Sequence, residues 1–546
     1  MFKGHPKGLY VAFFANMGER FGFYTMMACL VFFLQARYNL TADKAGDYYS
    51  WFYFLIYGLA LLGGFIADKT QNYKGTIFVG IVIMLLGYVL MSVPNLGLPI
   101  TLAGLFTIAF GNGLFKGNLQ ALVGQLYDDP KYGNLRDSAF SIFYMGINIG
   151  AFFAPSAANG IRNWFLRSQG YMYDADLPGL CNAHISGTLK DTALLQELAD
   201  KVTGAPVTDL AAFASSYINV FSIGYNYAFG IAVFAMLISL VVYVLFKKML
   251  PDRKKQAEAG KAVIQMAPAE EKQRIVALLL VFLVVIFFWM SFHQNGLALS
   301  LFARDYTAKA VGKFTNIFFD LRSFLSVIAV IFGMVFLIGK KSTQVQRFMG
   351  IALVVAGALL TWYFFGTFDE SNPIGPEIFQ QFNPIFIVFL TPVVVTLFAW
   401  LRARGNEPSS PRKIGIGMIL AALGFLVILI GSVKLASPMD LNGTPSPYRI
   451  SPYWLISTYL VLTMAELFLS PIGISFVSKV APPRFQGLMQ GGWLGATAIG
   501  NKLLFVGGLL WIRVELWHLW LVFVVCCLIS ATFIFSILKR LEKSTK

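Results

Sequence analysis

The chain has 546 residues, of which 57% are hydrophobic and 13% are charged, and its mean hydropathy is +0.66. A soluble protein of this length needs a polar surface that this composition does not supply, so the sequence indicates a polytopic membrane protein. The net charge of +16 does not indicate nucleic-acid binding, because the Lys and Arg residues are scattered along the chain at the ends of apolar segments. The four cysteines have neither a disulfide framework nor the spacing of zinc ligands.

A helix needs about 20 mostly apolar residues to cross a bilayer, and fourteen segments of the chain meet this requirement. They lie near residues 8–34, 46–67, 76–93, 98–126, 138–161, 217–247, 273–303, 318–339, 347–367, 376–402, 413–434, 453–479, 485–511 and 515–539. The first segment is long and carries two charges, so we expect it to be retained rather than cleaved.

Charge sets the expected orientation. If the N-terminus is cytoplasmic, short basic connections such as Lys340-Lys341 and Arg402-Ala403-Arg404 fall inside, as the positive-inside rule requires for an even number of spans. The polar linker 248–272 follows six spans and divides the chain into a bundle over 1–247 and another over 273–546. The first bundle includes an outside loop at 162–216, in which residues 189–198 predict a short amphipathic helix.

Four of the ionisable residues inside predicted spans are candidates for function. Glu19 and Arg20 are adjacent in the first segment, Lys116 lies in the fourth, and Glu466 lies in the twelfth. A charge inside the bilayer costs a few kcal/mol on insertion scales. Such residues therefore face a bundle interior or a wet cavity and are candidates for function.

Several segments resemble known transporters in order along the chain. Residues 63–69 (GGFIADK) resemble the loop signature of the major facilitator superfamily. The remaining matches are to the proton-dependent oligopeptide transporters, and they cover most of the chain apart from insertions. These segments are 19–24 (ERFGFY), 111–118 (GNGLFKGN), 143–150 (FYMGINIG), 380–384 (QQFNP), 463–473 (TMAELFLSPIG), 492–493 (GW) and 500–501 (GN).

This resemblance implies an all-α major facilitator fold with two six-helix bundles. An additional transmembrane hairpin near 318–367 brings the total to about fourteen helices. The resemblance also implies a substrate cavity between the bundles, open alternately to each side, and import of di- and tripeptides driven by protons. Asp68 would belong to a latch that holds cytoplasmic helix ends together.

A di- or tripeptide is a zwitterion, so its site needs a cation, an anion and a tolerant apolar lining. Lys116 and Arg20 supply a cationic end in the first bundle, and Glu466 supplies an anionic end in the second. The family resemblance assigns the peptide carboxylate to the two cations and the amine to Glu466. It also implies that Asn148 and Asn383 hydrogen-bond to the peptide backbone. The pocket would be lined by Tyr24, Tyr57 and Trp493.

Glu19 is the predicted proton-coupling residue. We expect it to pair with Lys116 when ionised and to release this partner when protonated. Each assignment has a structural alternative, which stays open at this point. Glu19 and Arg20 could lock two helices, Lys116 could reach an interface, Glu466 could be structural, and Asn148 and Asn383 could bond neighbouring helices.

Three positions depart from the family pattern. Asn16, Met27 and His293 stand where the family usually has charged residues, and the last two replace partners implicated in an ion pair on the outer side of the cavity. Because losing only one partner would strand a charge, losing both indicates a rewired outer gate. His293 is then a second candidate for proton coupling, since imidazole titrates near neutral pH. A neutral packing histidine is the alternative.

The departures leave a second function open, namely a relative that transports another small amphoteric or anionic solute with altered or weakened proton coupling. An enzyme is not expected, because the four histidines are far apart and neither His-Glu-x-x-His nor Gly-x-Ser-x-Gly occurs. A non-transporting nutrient sensor lacks any evident signalling module. The expected partners are short peptides, protons and lipid, with no metal, cofactor or nucleic acid. We expect a monomer in a bacterial inner membrane.

Overall fold

The computed structural model describes residues 4–128, 131–132, 135–251, 267–339, 342–441, 444–482 and 485–543. Most of the predicted linker 248–272 and the Lys340-Lys341 pair lie outside the described residues. Within the described residues, fourteen helices are long and apolar enough to cross a membrane. Their number confirms the predicted spans.

The helices are α1 (Gly8–Tyr38), α2 (Ala42–Thr70), α3 (Tyr73–Ser92), α4 (Leu98–Gln125), α5 (Arg136–Ser168), α6 (Leu177–Ile185), α7 (Ala193–Thr203), α8 (Leu210–Phe246), α9 (Pro268–Phe292), α10 (Ala298–Tyr306), α11 (Lys313–Asn316), α12 (Leu321–Ile338), α13 (Gln344–Thr367), α14 (Phe382–Ala403), α15 (Ser410–Ser432), α16 (Pro438–Leu441), α17 (Pro452–Val480), α18 (Gln486–Lys502), α19 (Phe505–Trp511), α20 (Leu516–Ser536) and α21 (Leu538–Lys543). Single 3₁₀ turns cover Lys247–Met249, His293–Gly296 and Pro376–Gln381. Two short strands, β1 (Ala310–Val311) and β2 (Asn372–Pro373), pair antiparallel.

The long helices pack in two groups. In the N-terminal half α1 contacts α5 and α8, and α4 contacts α2 and α3; in the C-terminal half α15 contacts α17 and α20, and α9 contacts α18. Helix α2 packs across the boundary against α18 and α19. We use "halves" for the predicted division 1–247 and 273–546. "Outer face" denotes the face that carries the connections 39–41 and 169–209, which the predicted orientation places outside.

Helices α12 and α13 form the hairpin at the predicted position. They pack closely on each other where Gly333 meets Gly350, because neither glycine has a side chain. A Cβ on either glycine would lie less than 3 Å from the other's carbonyl oxygen. Most of α13 is exposed, with Trp362 at 79%, so this helix presents its apolar surface to lipid.

The outside segment differs from its predicted bounds at three places. The short helix is α7, which begins at Ala193 rather than at residue 189, because the Asp191 carboxylate accepts the Ala193 N–H and starts the helix there. Helix α5 continues to Ser168, and α8 begins at Leu210. The outside connection is therefore shorter than the predicted loop 162–216, and it covers residues 169–209.

The connection between α14 and α15 carries a charge network that predicts a pH dependence. Hydrogen bonds first from Arg402 and then from Lys413, at 2.6 Å each, lower the pKa of Glu407 from 4.5 to about 2. A carboxylate whose pKa is lowered by folding stabilises the fold fully at pH values above its unfolded-state pKa. This stabilisation is lost as the pH falls toward the folded-state pKa. Because the Arg402 side chain is 72% exposed, solvent screening leaves the network only a small contribution to stability.

We therefore expect Glu407→Gln to lower the melting temperature of the detergent-solubilised protein slightly above about pH 5, and progressively less toward about pH 3. Thermal unfolding of both proteins across this range measures the difference. A difference that is the same at every pH would contradict the assignment.

Candidate functional site

The two charges of the first span form one buried unit. Arg20 donates from Nε to Glu19 Oε2 at 2.5 Å and from Nη2 to Glu19 Oε1 at 2.6 Å. The Glu19 side chain is fully buried, and that of Arg20 is 4% exposed. A two-point contact of this kind is the strongest pairing a guanidinium makes. In this arrangement the positive charge of Arg20 is already compensated.

Helix α4 supplies the third member of the unit. Asn112 Nδ2 donates to Glu19 Oε1 at 2.5 Å. One turn further along α4, the Lys116 ammonium lies 3.8 Å from the centroid of the Tyr57 ring and has no carboxylate within 4 Å among the described residues. The predicted Glu19–Lys116 ion pair is therefore wrong for this conformation, because the carboxylate is held by Arg20 and Asn112. Lys116 is thus a cation of the site that has no ionic partner among the described residues.

Glycines bring α2 and α4 close enough for this contact. Gly63 faces the Gly113 carbonyl so closely that a Cβ on Gly63 would overlap it. Asn118 Nδ2 also donates to the Gly63 carbonyl at 3.0 Å. This close crossing positions Tyr57 of α2 over Lys116 of α4.

Gly63→Ala should therefore destabilise the protein by about 1–3 kcal/mol, the usual cost of forcing an extra methyl group into a packed contact. Gly64→Ala is the matched control, since a Cβ on Gly64 meets no atom within 4 Å. Melting temperatures of both variants in detergent measure the effect. Equal melting temperatures would show that the crossing tolerates a wider spacing.

The C-terminal half supplies an anion of comparable burial. Glu466 of α17 is 8% exposed and accepts a hydrogen bond at 3.0 Å from Asn383 Nδ2, which also donates to Thr463 Oγ1 at 3.0 Å. No Lys, Arg or His of the described residues lies within 4 Å of the Glu466 carboxylate. Glu466 thus accepts from the neutral donor Asn383, and no cation among the described residues compensates its charge.

Aromatic side chains of the N-terminal half lie near both charged groups. Tyr24 and Tyr57 are within electrostatic range of Arg20 and also of Glu466. Both tyrosines are half-buried. Tyr57 therefore lies beside the cation of α4, and both phenols lie near charged groups of the two halves.

Asn148, a predicted partner of the peptide backbone, and Trp493, a predicted lining residue, are turned into the protein. Asn148 donates from Nδ2 to the carbonyl of Tyr144, one turn earlier in α5, at 3.0 Å. Trp493 is 4% exposed and packs over Gly473, where a Cβ would overlap the indole ring. Their roles toward a substrate stay predictions.

The positions that depart from the family pattern are buried. Asn16 is 4% exposed with an unpartnered Nδ2, and Met27 lies in the apolar core. The His293 ring lies between Tyr53 and Trp289, with centroids 4.5 and 4.6 Å away, and Nδ1 is 2.5 Å from Asn501 Oδ1. This stacking supports the packing interpretation of His293, while its role as a proton carrier stays a prediction.

The predicted latch residue Asp68 lies near the end of α2 and is exposed. Its carboxylate accepts a hydrogen bond from the Tyr73 hydroxyl, which ties α2 to the beginning of α3. Its role in gating stays a prediction.

Sequence reasoning missed a second buried ion pair, Arg162 with Glu377. Both side chains are fully buried, and the pair joins α5 to the 3₁₀ turn before α14. Arg162 follows the last residue of the predicted span 138–161 and therefore resembled an ordinary interfacial charge. The available signal was Glu377, which lies inside the predicted span 376–402.

Comparison with known proteins places these features in a family. A family model described as the POT family matches residues 74–270 and 361–506, which is more than half of the chain. The chain belongs to the POT family. This is a family of transporters rather than of enzymes, and the protein is a multi-pass membrane protein.

Individual relatives cover nearly the whole chain. An uncharacterised transporter of Bacillus subtilis is 27% identical over 531 residues, which are 92% of this chain and 87% of the relative. Dipeptide and tripeptide permease A of Cronobacter turicensis is 26% identical over 525 residues, 91% and 84% of the two chains. A solved POT family transporter in complex with 5-aminolevulinic acid superposes with a TM-score of 0.66 at 21% identity and covers 100% of this chain and 98% of its own. This POT family member therefore has the expected major facilitator fold.

Proposed function

We propose that this protein is a proton-coupled symporter that imports di- and tripeptides by alternating access. The observation that carries the proposal is a pair of charges without an ionic partner among the described residues, the half-buried Lys116 in one half and the buried Glu466 in the other. A zwitterionic peptide supplies the missing partner for each, so binding it bridges the two halves. The names of relatives, which include dipeptide and tripeptide permeases and a di-/tripeptide transporter of Lactococcus lactis, support the same substrate class.

The geometry suggests how a proton enters the cycle. Glu19 holds Arg20 through both carboxylate oxygens, so a proton on Glu19 frees the guanidinium from its partner. A freed Arg20 adds a second positive charge near Lys116, and the peptide carboxylate is then held more strongly. In this coupling, protonation of Glu19 releases Arg20, whereas the sequence predicted the release of Lys116.

The remaining roles follow from this arrangement. Asn383 orients the Glu466 carboxylate for the peptide amine, while Tyr24 and Tyr57 line the space between the charged ends. Asn148 and Trp493 complete the site after side-chain rotation. The orientation with both termini cytoplasmic, the bacterial inner membrane and the monomeric state belong to the same proposal.

Uptake by proteoliposomes tests the function. Labelled dialanine should accumulate above its external concentration when the lumen is alkaline, and it should only equilibrate when the proton gradient is collapsed. Empty liposomes and a free amino acid, alanine, are the controls. Accumulation that ignores the proton gradient would contradict proton coupling.

A second candidate is transport of another small amphoteric solute. It is favoured by the structural similarity to a POT family transporter in complex with 5-aminolevulinic acid and by the three departures at Asn16, Met27 and His293. The same liposomes distinguish the two, because 5-aminolevulinic acid would then compete with dialanine or replace it as the accumulated solute.

A further inference from the structure

The fully buried pair Arg162–Glu377 joins the two halves of the protein. Arg162 belongs to α5 in the N-terminal half, and Glu377 belongs to the C-terminal half. The described contacts of the Glu377 carboxylate come from the opposite half: the Arg162 guanidinium and the Tyr225 hydroxyl, which donates to Oε1 at 2.8 Å. Glu377 is therefore a side chain of one half inserted into a polar pocket of the other.

The pocket is built around the guanidinium. Asn159 Oδ1 accepts from Arg162 Nη2 at 2.5 Å, and the Tyr173 ring lies with its centroid 4.0 Å from Arg162 Cζ. Glu377 Oε2, in contrast, is buried and has no hydrogen-bond partner among the described residues. A buried ion pair with one unsatisfied oxygen contributes little net stability compared with an apolar contact. Stability alone therefore gives a weak reason for this pair.

The pair lies on the outer face, away from the proposed substrate site. Arg162 and Asn148 are both on α5, fourteen residues apart, which corresponds to roughly 21 Å of helix. The neighbouring contact Ser156 Oγ to Gln381 Oε1, at 2.6 Å, also joins the halves. The pair thus belongs to the contact surface that closes the outer face and not to the site itself.

Other ion pairs also cross the outer face, but they are more exposed. Lys502 pairs with Asp47 at 2.5 Å, with side chains 23% and 49% exposed. Arg449 pairs with Asp176 at 2.6 Å, with side chains 15% and 9% exposed, and Lys309, which is 28% exposed, also pairs with Asp176. The exposed Lys502–Asp47 pair is worth about 1 kcal/mol or less. Among the described residues, Arg162–Glu377 is the ion pair that crosses the outer face with both side chains fully buried, so losing one partner would strand a charge in the protein interior.

We propose that Glu377 and its receptor, Arg162 with Tyr225, form the ionic lock of the outer face, which opens and closes in each transport cycle. In the closed state each charge has its partner, and in the outward-open state water hydrates both. Because the pair contributes little net stability in the closed state, the lock can seal the cavity and still be reversible. This inference rests on the proposed alternating-access function.

Distance measurement between the halves tests the lock without any substrate. Spin labels on Lys190→Cys and Lys434→Cys report the opening, since both positions are exposed on the outer face, one in each half. Glu377→Gln removes the charge that holds Arg162 and should raise the ratio of long to short distances by at least about tenfold, as expected when a buried charge loses its partner. Glu370→Gln is the matched control, because Glu370 pairs with Lys313 of the same half and is 91% exposed.

A second variant tests the lock in case Glu377→Gln does not fold. Arg162→Met/Glu377→Met removes both charges, and apolar groups in this contact favour the closed state. This variant should keep the short distance and lose at least about tenfold in turnover with an unchanged peptide dissociation constant, because exposing an apolar contact opposes opening.

The outcomes separate the lock from the proposed substrate. Identical distance distributions in folded Glu377→Gln and wild-type protein would overturn the lock, and so would full turnover in the double variant. A shifted distribution in a protein that fails to accumulate dialanine would retain the lock and refute peptide transport instead.

Discussion

Lys116→Gln should remove most of the preference of this transporter for a free peptide carboxylate. Lys116 has no carboxylate partner among the described residues, so it supplies most of the attraction for the carboxylate of the peptide. A hydrogen bond to a charged group contributes about 1.5–3 kcal/mol, which is about a 10–100-fold loss of affinity. The wild-type protein should therefore bind dialanine about 10–100-fold more tightly than dialanine amide, whereas Lys116→Gln should keep only the part of this ratio that Arg20 supplies. Competition against labelled dialanine measures both ratios.

Glu466→Gln provides the matched control at the other end of the ligand. It should abolish the discrimination between dialanine and N-acetyl-dialanine and leave the discrimination at the carboxylate unchanged. Conversely, Lys116→Gln should leave the discrimination at the amine unchanged. A Lys116→Gln protein that keeps the full wild-type ratio would show that Arg20 or another group, rather than Lys116, supplies most of the carboxylate binding.

Glu19→Gln should eliminate uphill uptake and preserve peptide counterflow. Glutamine cannot bind and release a proton, and it compensates Arg20 less well than a carboxylate does, so the cation is permanently available to the substrate. Counterflow needs only binding and the movement of the loaded carrier, which does not require a proton to dissociate. Proteoliposomes with and without a proton gradient measure the two activities.

The control for this variant is Glu270→Gln, since Glu270 lies in an exposed pair with Arg274 on the same helix. Thermal unfolding must accompany the assay, because breaking a buried pair costs about 3–5 kcal/mol. Uphill uptake that survives in a folded Glu19→Gln protein would exclude Glu19 as the coupling residue.

Hydropathy predicted the fold because the membrane imposes a simple length rule on every span. Helix α4 was predicted at 98–126 and is found at Leu98–Gln125, and α13 was predicted at 347–367 and is found at Gln344–Thr367. The errors at α7 and α8 arise outside the span pattern. There, side chains that accept backbone N–H groups, Asp191 and Asp209, decide where a helix begins.

The pairing of the buried charges could not be predicted from the sequence. Its pattern identifies Glu19, Arg20 and Lys116 as buried charges, but which cation holds the carboxylate depends on the approach of α4 to α1. The partner of Glu377 depends in the same way on a contact between residues more than 200 positions apart. Only the three-dimensional arrangement shows that Met27 and His293 are packed among other side chains. It also shows that the buried ion pair across the outer face joins Arg162 to Glu377 instead.

The short pairing of β1 with β2 has a consequence for the origin of the fourteen-span architecture. It joins Ala310 to Pro373 and Val311 to Asn372, so the chain leaves for α12 and returns from α13 at nearly one point. Because two spans are added together, every later span keeps its direction through the bilayer. The hairpin is therefore a side branch that a gene can acquire or lose in one step, without re-threading the other twelve spans.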